Sequence, residues 1–360
     1  MPDPPSPVPL GGAAPRRAAD DELASTIVTA TLEEEHRPRT NLLWCASFQL
    51  AWNALRARVG GELALAGAPP LGEALGRGTG AHFALDPASF VAAAGFAEDG
   101  VLEAVRAELR AKFGVAAGAE LAPGAIEPGG ALLYAFLRKS LSFATPLCAA
   151  QAPRLLFRGT PVRSFGLWQD GSPREKWRQR ARQIAVLDHR ANEDFVVEIA
   201  TSEPDDRLLV ACVPPAATLE GTVRAVLARA DAGLSWWQRL RRQGELGPEE
   251  ELCVPSMNFQ VTRVYREIAG RKIESPAFSD HFIGDARQLI ALRLDERGAV
   301  LRSEAAGVVL PAPARRERKL WCASPFLVLL ARRGAASPYF AAWIETSELL
   351  QPVALDMPRA

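Results

Sequence analysis

Hydrophobic residues along this chain recur with two different periods, and the period changes many times between residues 20 and 350. Apolar residues three or four positions apart predict amphipathic helices, whereas short apolar runs between turn-forming residues predict buried strands. The predicted helices cover residues 20–37, 48–59, 101–113, 219–232 and 264–269. The predicted strands cover residues 42–45, 131–137, 162–167, 195–199, 208–213, 252–259, 289–294, 326–330 and 339–344. Because these elements do not alternate regularly as β-α-β units, the pattern predicts an α+β fold.

The two ends of the chain differ in composition from the segment between them. Residues 1–19 are rich in Pro, Gly, Ala and Arg, and such a segment buries too little apolar surface to offset the entropy of ordering it. We therefore expect a disordered tail over 1–19 and one folded domain over 20–355. Within this domain, residues 62–130 give the weakest signal, because glycine and proline interrupt the pattern repeatedly.

Charge excludes two classes of partner. The chain has 360 residues with 42 basic and 42 acidic side chains, so it has no net charge to attract nucleic acid or an anionic membrane surface. It also contains no run of about 18 apolar residues to span a bilayer. We expect a globular protein that binds neither nucleic acid nor membrane, and 48% hydrophobic composition is enough to fill its core.

The five cysteines bear on the cellular compartment. Residues 1–20 contain six prolines and no continuous apolar stretch, so they do not resemble a signal peptide. We therefore expect a cytoplasmic location with reduced thiols, and an odd number of cysteines agrees with this expectation. The sequence Trp-Cys-Ala-Ser occurs at 44–47 and at 321–324, which suggests either paired thiols or, in better agreement with the apolar surroundings, two buried strands. The cysteines are Cys45, Cys148, Cys212, Cys253 and Cys322.

Motifs for catalysis are missing from the sequence. It contains no Gly-rich phosphate loop, no Cys-x-x-Cys, no His-Glu-x-x-His and no Gly-x-Ser-x-Gly. His189 beside Asp188 is compatible with a base held by its carboxylate or with two unrelated surface residues. Adjacent residues of a strand point to opposite faces, which favours the second interpretation. We expect no enzyme activity, no catalytic residue, no cofactor and no metal.

Two segments near the C terminus resemble a known family. Residues 289–298 read Leu-Ile-Ala-Leu-Arg-Leu-Asp-Glu-Arg-Gly and resemble the serpin strand that precedes the reactive loop. Residues 324–329 resemble the Pro-Phe-x-Phe strand that follows the loop, and Gly298 and Pro325 lie 27 residues apart, close to the serpin loop length. Further similar segments occur in serpin order at 41–54, 131–147, 208–227 and 254–259. The chain is thus identified as a divergent member of the serpin family.

The chain also departs from the serpin pattern. Relative to the family, it is shorter by roughly forty residues between the segments at 41 and 131, in keeping with an abridged helical layer. At the centre of the main sheet the family usually has Ser-Pro and His, whereas this chain has Cys45-Ala46 and Gln288. The resemblance therefore implies mixed sheets, a covering helical layer and an exposed C-terminal reactive loop, with altered chemistry where the sheet opens.

The resemblance implies a function for that loop. A trapping serpin presents the loop to a serine or cysteine protease and, once cleaved, inserts it as a new central strand. The implied hinge residues are Glu296, Gly298, Ala299, Leu301 and Ser303, and the implied scissile region contains Ala312, Arg315 and Arg316. An arginine there suits the acidic pocket of a trypsin-like protease, while a solvated basic loop is the alternative interpretation.

The hinge sequence is poorly suited to insertion, because it contains bulky and charged residues. Side chains alternate across a strand, so only one set enters the sheet. The two sets are Ala299, Leu301 and Ser303 on one face, and Val300, Arg302 and Glu304 on the other. The resemblance favours entry of the first set, in which Leu301 is bulkier than the usual alanine. The leading prediction is a serpin-family protein that presents a loop to a protease, and the alternative is a non-inhibitory binding or structural protein.

Overall fold

The computed structural model describes residues 15–78, 83, 85–114, 124–140, 142–150, 152–232, 244–297, 318–335 and 337–353. The helices in these residues are α1 (Ser47–Arg58), α2 (Pro70–Arg77), α3 (Val101–Phe113), α4 (Arg174–Ala181) and α5 (Leu219–Ala232). The strands are β1 (Arg16–Ala19), β2 (Thr26–Thr29), β3 (Asn41–Cys45), β4 (Phe90–Phe96), β5 (Gly130–Ser140), β6 (Cys148–Ala149), β7 (Leu155–Phe157), β8 (Thr160–Val162), β9 (Ser164–Leu167), β10 (Ile184–Ala191), β11 (Asp194–Ala200), β12 (Asp206–Cys212), β13 (Glu251–Pro255), β14 (Met257–Val264), β15 (Phe282–Leu294), β16 (Lys319–Trp321), β17 (Phe326–Arg332) and β18 (Phe340–Ile344).

These strands form mixed sheets, which confirms the predicted α+β fold. A five-stranded sheet has the order β1-β14-β15-β5-β4, and a seven-stranded sheet has the order β10-β11-β12-β17-β18-β3-β2. A four-stranded sheet, β16-β13-β9-β6, and the hairpin β7-β8 complete the described strands. Parallel and antiparallel pairs occur within one sheet: β5 pairs in parallel with β15 and antiparallel with β4.

Helices cover both faces of the five-stranded sheet. Alternate side chains of β5 explain this arrangement, since Leu133 and Ala135 belong to the same buried cluster as Trp52 of α1. Leu132 and Phe136 point the other way and belong to a cluster with α3. A strand buried on both faces requires apolar residues throughout, which is why the sequence of β5 shows a continuous apolar run instead of an alternation.

The predicted helix over 20–37 is wrong. Residues 20–22 form a short 3-10 turn, and Thr26–Thr29 form the strand β2, which pairs in parallel with β3. Thr26, Ile27, Val28 and Thr29 are four consecutive β-branched residues, which lose side-chain freedom in a helix and pack well on a sheet. The apolar spacing of this segment also fits a helix, so the neighbouring strand β3 decides between the two conformations.

Two other predictions also differ from the structure. The predicted helix over 264–269 is a turn, in which the amides of Ile268 and Ala269 donate to the carbonyl of Tyr265, at 3.2 and 3.1 Å. It ends at Gly270, whose φ of 76° is favourable for glycine. Residues 16–19 of the predicted tail form β1, in parallel with residues 259–262 of β14. The rest of the predicted tail, residues 1–14, lies outside the described residues.

Among the residues that the structure describes, no helix is both long and apolar enough to cross a lipid bilayer.

Candidate functional site

The middle of the five-stranded sheet is the pair β5 and β15, which we call the central seam. The two strands run parallel, with Gly130 opposite Phe282 at one end and Ser140 opposite Arg293 at the other. The chain leaves β15 at Leu294 and continues to the predicted reactive loop. A new strand can enter the sheet beside β15 on this side only if β5 and β15 separate. The contacts that hold the seam therefore determine whether insertion is feasible.

Gln288 ties β15 to the layer beneath the sheet. Its side chain is completely buried. Its Nε2 donates to the carbonyl oxygen of Cys45 and to Oγ of Ser47, both at 3.0 Å, and its Oε1 accepts from the hydroxyl of Tyr265 at 2.7 Å. Cys45 ends β3 and Ser47 begins α1. Separating Gln288 from these groups leaves buried polar atoms unpaired, at a cost of about 1–3 kcal/mol for each.

The groups around Gln288 remain uncharged at neutral pH. Burial raises the pKa of the Cys45 thiol to about 11. Burial also raises the pKa of the Tyr265 hydroxyl, and its ring stacks on Phe48 with 4.0 Å between the centroids. A glutamine amide does not titrate. The sequence singled out Cys45-Ala46 and Gln288 as departures from the family pattern, and their contacts form a network without a titrating histidine.

Glu296 marks the first end of the predicted reactive loop. Its carbonyl oxygen accepts a hydrogen bond from the amide of Leu147 at 3.0 Å. The preceding Asp295 accepts from Nε of Arg293 at 2.6 Å and from the amide of Arg297 at 3.0 Å. These contacts fix the chain just beyond β15. The other predicted hinge residues, Gly298, Ala299, Leu301 and Ser303, lie outside the described residues.

Arg318 marks the second end of the loop, and its guanidinium is buried. Nε and Nη2 donate to the two carboxylate oxygens of Glu250 at 2.6 and 2.7 Å, and Nη2 also donates to the carbonyl of Glu245 at 2.7 Å. Paired in this way, Arg318 is unavailable to the pocket of a trypsin-like protease. The predicted scissile residues Ala312, Arg315 and Arg316 lie outside the described residues.

The strand that follows Arg318 is held by aromatic and charged side chains. Nε1 of Trp321 in β16 donates to Glu251 of β13 at 3.0 Å, and Arg154 pairs with the same carboxylate at 2.6 Å. The guanidinium of Arg154 lies 4.7 Å from the ring centroid of Trp168 and 5.6 Å from that of Trp321. Residues 298–317 thus connect an anchored end of the five-stranded sheet to an anchored strand of the four-stranded sheet.

The structure does not assemble the candidate pair Asp188 and His189. The Asp188 carboxylate pairs with Arg229 at 2.6 Å and with Arg190 at 3.2 Å. Nε2 of His189 is buried with no hydrogen-bond partner among the described residues, and burial lowers the pKa of His189. The carboxylate thus serves in ion pairs and does not orient the imidazole as it would in a catalytic base.

All five cysteines are buried and free in the structure. Cys45 ends β3, and Cys322 follows β16. The repeated sequence around them therefore reflects two buried positions, the interpretation that the apolar surroundings favour.

Comparison with known proteins finds similarity in structure alone, since no family model and no curated protein matches the chain. Uncleaved ovalbumin is 10% identical over 84% of this chain and 92% of that chain, with a TM-score of 0.47. Thyroxine-binding globulin in complex with thyroxine is 13% identical over 84% and 92%, with a TM-score of 0.46. Serine protease inhibitor (serpin)-12 of Manduca sexta is 12% identical over 71% and 67%, with a TM-score of 0.41. A solved serpin is thus among the structures to which this chain is similar.

Proposed function

We propose that this chain is a serpin-like protein that presents residues 298–317 to a trypsin-like serine protease. The observation that carries the proposal is the anchoring of both ends of this segment. The Glu296 carbonyl binds Leu147 at one end, and Arg318 forms its buried pair with Glu250 at the other. Anchored ends on two different sheets suit a segment that a partner reads while the rest of the fold stays in place.

The sequence of the segment supports a protease with an acidic pocket. Arg315 and Arg316 are adjacent and follow a proline-containing stretch. A guanidinium pairs well with a carboxylate at the base of a binding pocket. In this proposal the chain acts as a protein ligand and contributes no catalytic residue or cofactor of its own.

Limited proteolysis tests this function. We expect trypsin at low concentration to cut first after Arg315 or Arg316, as identified by mass spectrometry of the fragments. The variant Arg315→Ala/Arg316→Ala is the matched control, and it should lose this first cut while keeping its melting temperature. A first cut elsewhere between residues 20 and 350, or an unchanged first cut in the variant, contradicts the proposal.

Presentation leads to trapping of the protease only if the cleaved segment inserts into the sheet. The pairing of β5 with β15 in the central seam favours the second candidate function, presentation without trapping. Insertion has to separate β5 from β15 and break the contacts of Gln288 beneath them. It also has to accommodate Leu301 and bring Arg302 and Glu304 against the sheet surface.

Denaturing gels distinguish the two functions. The protein is incubated with several serine and cysteine proteases, and a covalent complex that survives denaturation supports trapping. Cleavage without a complex, and with little gain in melting temperature, supports presentation alone. In that case the variant Leu301→Ala/Arg302→Ala/Glu304→Ala should show a larger gain after cleavage, because its hinge enters more easily. A large gain in melting temperature after cleavage of the unaltered protein, unchanged by the three substitutions, contradicts presentation without trapping, because it means that the hinge inserts freely.

A further inference from the structure

A buried ion pair connects the central seam to the seven-stranded sheet. Lys139 lies near the end of β5, and Asp206 is the first residue of β12. Nζ of Lys139 lies 2.5 Å from Oδ2 of Asp206, and their side chains are 6% and 1% exposed. The two residues are far apart in sequence and belong to different sheets, so the pair is a tertiary contact between two layers.

Asp206 depends on Lys139 for compensation of its charge. Lys139 is the basic residue that pairs with Asp206 among the residues that the structure describes. The nearby Arg332 pairs instead with Asp205, at 2.9 Å. Burial raises the pKa of the Tyr339 hydroxyl, and both the negative charge of Asp206 and a hydrogen bond to its carboxylate add to this shift. Moving Lys139 away therefore leaves a buried carboxylate without a counter-charge.

The two strands of the seam are thus tied to the same underlying sheet by contacts of different kinds. Gln288 ties β15 to β3 through a neutral hydrogen bond to Cys45, whereas Lys139 ties β5 to β12 through a buried ion pair. Separating a buried ion pair is much more costly than breaking a neutral hydrogen bond, because each ion has lost its hydration. The ion pair therefore adds a charged contact on β5 to the three neutral hydrogen bonds that the Gln288 side chain makes on β15.

We propose that the Lys139–Asp206 ion pair controls how readily the central seam opens, by holding β5 on the seven-stranded sheet. This inference rests on the proposed function, because opening of the seam matters only for a protein whose cleaved segment enters the sheet. While the ion pair is intact, β5 and β15 are both fixed to the layer beneath and remain paired with each other. Breaking it releases β5 together with its neighbour β4.

Hydrogen exchange of backbone amides measures this opening directly and requires no protease. In the variant Lys139→Met/Asp206→Leu, apolar side chains replace both charges, so no unpaired ion is left behind. We expect the amides of residues 132–138 in β5 to exchange at least about tenfold faster than in the unaltered protein. The amides of β11 and of β17, in the underlying sheet, should keep their rates.

The neighbouring pair Arg332–Asp205 provides the matched control. This pair lies in the same region of the seven-stranded sheet as Asp206. Its side chains are 28% and 71% exposed, and neither residue belongs to β5. The variant Arg332→Met/Asp205→Leu should therefore leave the exchange of β5 unchanged. Equal acceleration of β5 in both variants overturns the proposal.

Two further outcomes also overturn it. One is unchanged exchange in β5 of the Lys139→Met/Asp206→Leu variant, and the other is acceleration that is the same in β5, β11 and β17, which reports loss of global stability. If this variant does not fold, Asp206→Asn is measured, and the absence of a local increase in β5 overturns the proposal. Because exchange is recorded on the uncleaved protein, its result is independent of where a protease cuts, so failure of the proposed function is distinguished from failure of this inference.

Discussion

The side-chain amide of Gln288 donates a hydrogen bond of 3.0 Å to the carbonyl oxygen of Cys45, which joins a central strand of one sheet to a strand of another. The same amide group also binds Ser47 and accepts from Tyr265. One buried side chain therefore satisfies polar groups from β3, α1 and the turn after β14. Its removal affects all three elements together.

We expect the substitution Gln288→Ala to lower the free energy of unfolding by about 3 kcal/mol, because it leaves buried polar groups unpaired and creates a cavity. Chemical denaturation monitored by tryptophan fluorescence measures this loss. Gln260→Ala is the matched control, since Gln260 lies in the adjacent strand β14 and is only partly buried. A loss of the same size in both variants contradicts the role of the Gln288 contacts.

The buried pair of Arg318 and Glu250 predicts strong coupling between two residues. Each single substitution, Arg318→Met or Glu250→Leu, removes one charge of a buried ion pair and should cost about 3–5 kcal/mol. The double variant should be closer in stability to the unaltered protein than either single variant. A double-mutant cycle of unfolding free energies provides the measurement, and additive losses argue against coupling.

The structure also predicts how the thiols react. Because all five cysteines are buried and free, and burial raises the pKa of Cys45 and of Cys253 to about 11, a thiol reagent should modify them slowly in the folded protein. After unfolding without reductant, we expect five reactive thiols per chain. Fewer than five in protein purified without oxidant contradicts both this prediction and the cytoplasmic location that we propose.

Glu348 makes part of the stability dependent on pH. Its partial burial opposes ionisation, but bonds from Thr26, from both the amide and the hydroxyl of Ser25, and from the amide of Ala24 outweigh it. The pKa of the Glu348 carboxyl therefore lies below its ordinary value. A carboxyl whose pKa is lowered on folding adds stability above its unfolded pKa of about 4.3, and this contribution disappears as pH falls through the folded value.

We accordingly expect Glu348→Gln to destabilise the protein by about 1 kcal/mol at pH 7, a value that takes solvent screening into account. The difference from the unaltered protein should shrink as the pH is lowered below about 4.3. Unfolding free energies measured from pH 7 to pH 3 test this. Glu345→Gln is the control for removal of a nearby charge, and a difference for Glu348→Gln that does not vary with pH contradicts the assignment.

Elements with a long and unambiguous hydrophobic period were predictable from the sequence. The pattern indicated α1, α3 and α5 close to their observed positions, and it indicated β5, β12 and β17 as continuous apolar strands. In these segments local preference and tertiary packing agree, so neighbouring residues carry enough information. The α+β class followed from the order of the same elements.

Segments whose conformation depends on a distant partner were not predictable in this way. The spacing of residues 23–32 fits a helix, but pairing with β3 makes Thr26–Thr29 a strand. β1 is largely exposed and forms because the edge of β14 offers backbone hydrogen-bonding groups to it. The sequence of β1, Arg-Arg-Ala-Ala, has no hydrophobic alternation, so it does not indicate that this segment pairs with the edge of β14.

The same distinction applies to the candidate site. The sequence identified Gln288 as a departure from the family pattern and placed Glu296 at the end of β15, because both lie within a recognisable strand. The partners of Gln288, the burial of Arg318 by Glu250 and the pairing of Lys139 with Asp206 arise between elements that are distant along the chain. Only the tertiary structure brings these charges and amides together, because a buried polar group is stabilised by whatever partner the packing of the sheets places beside it.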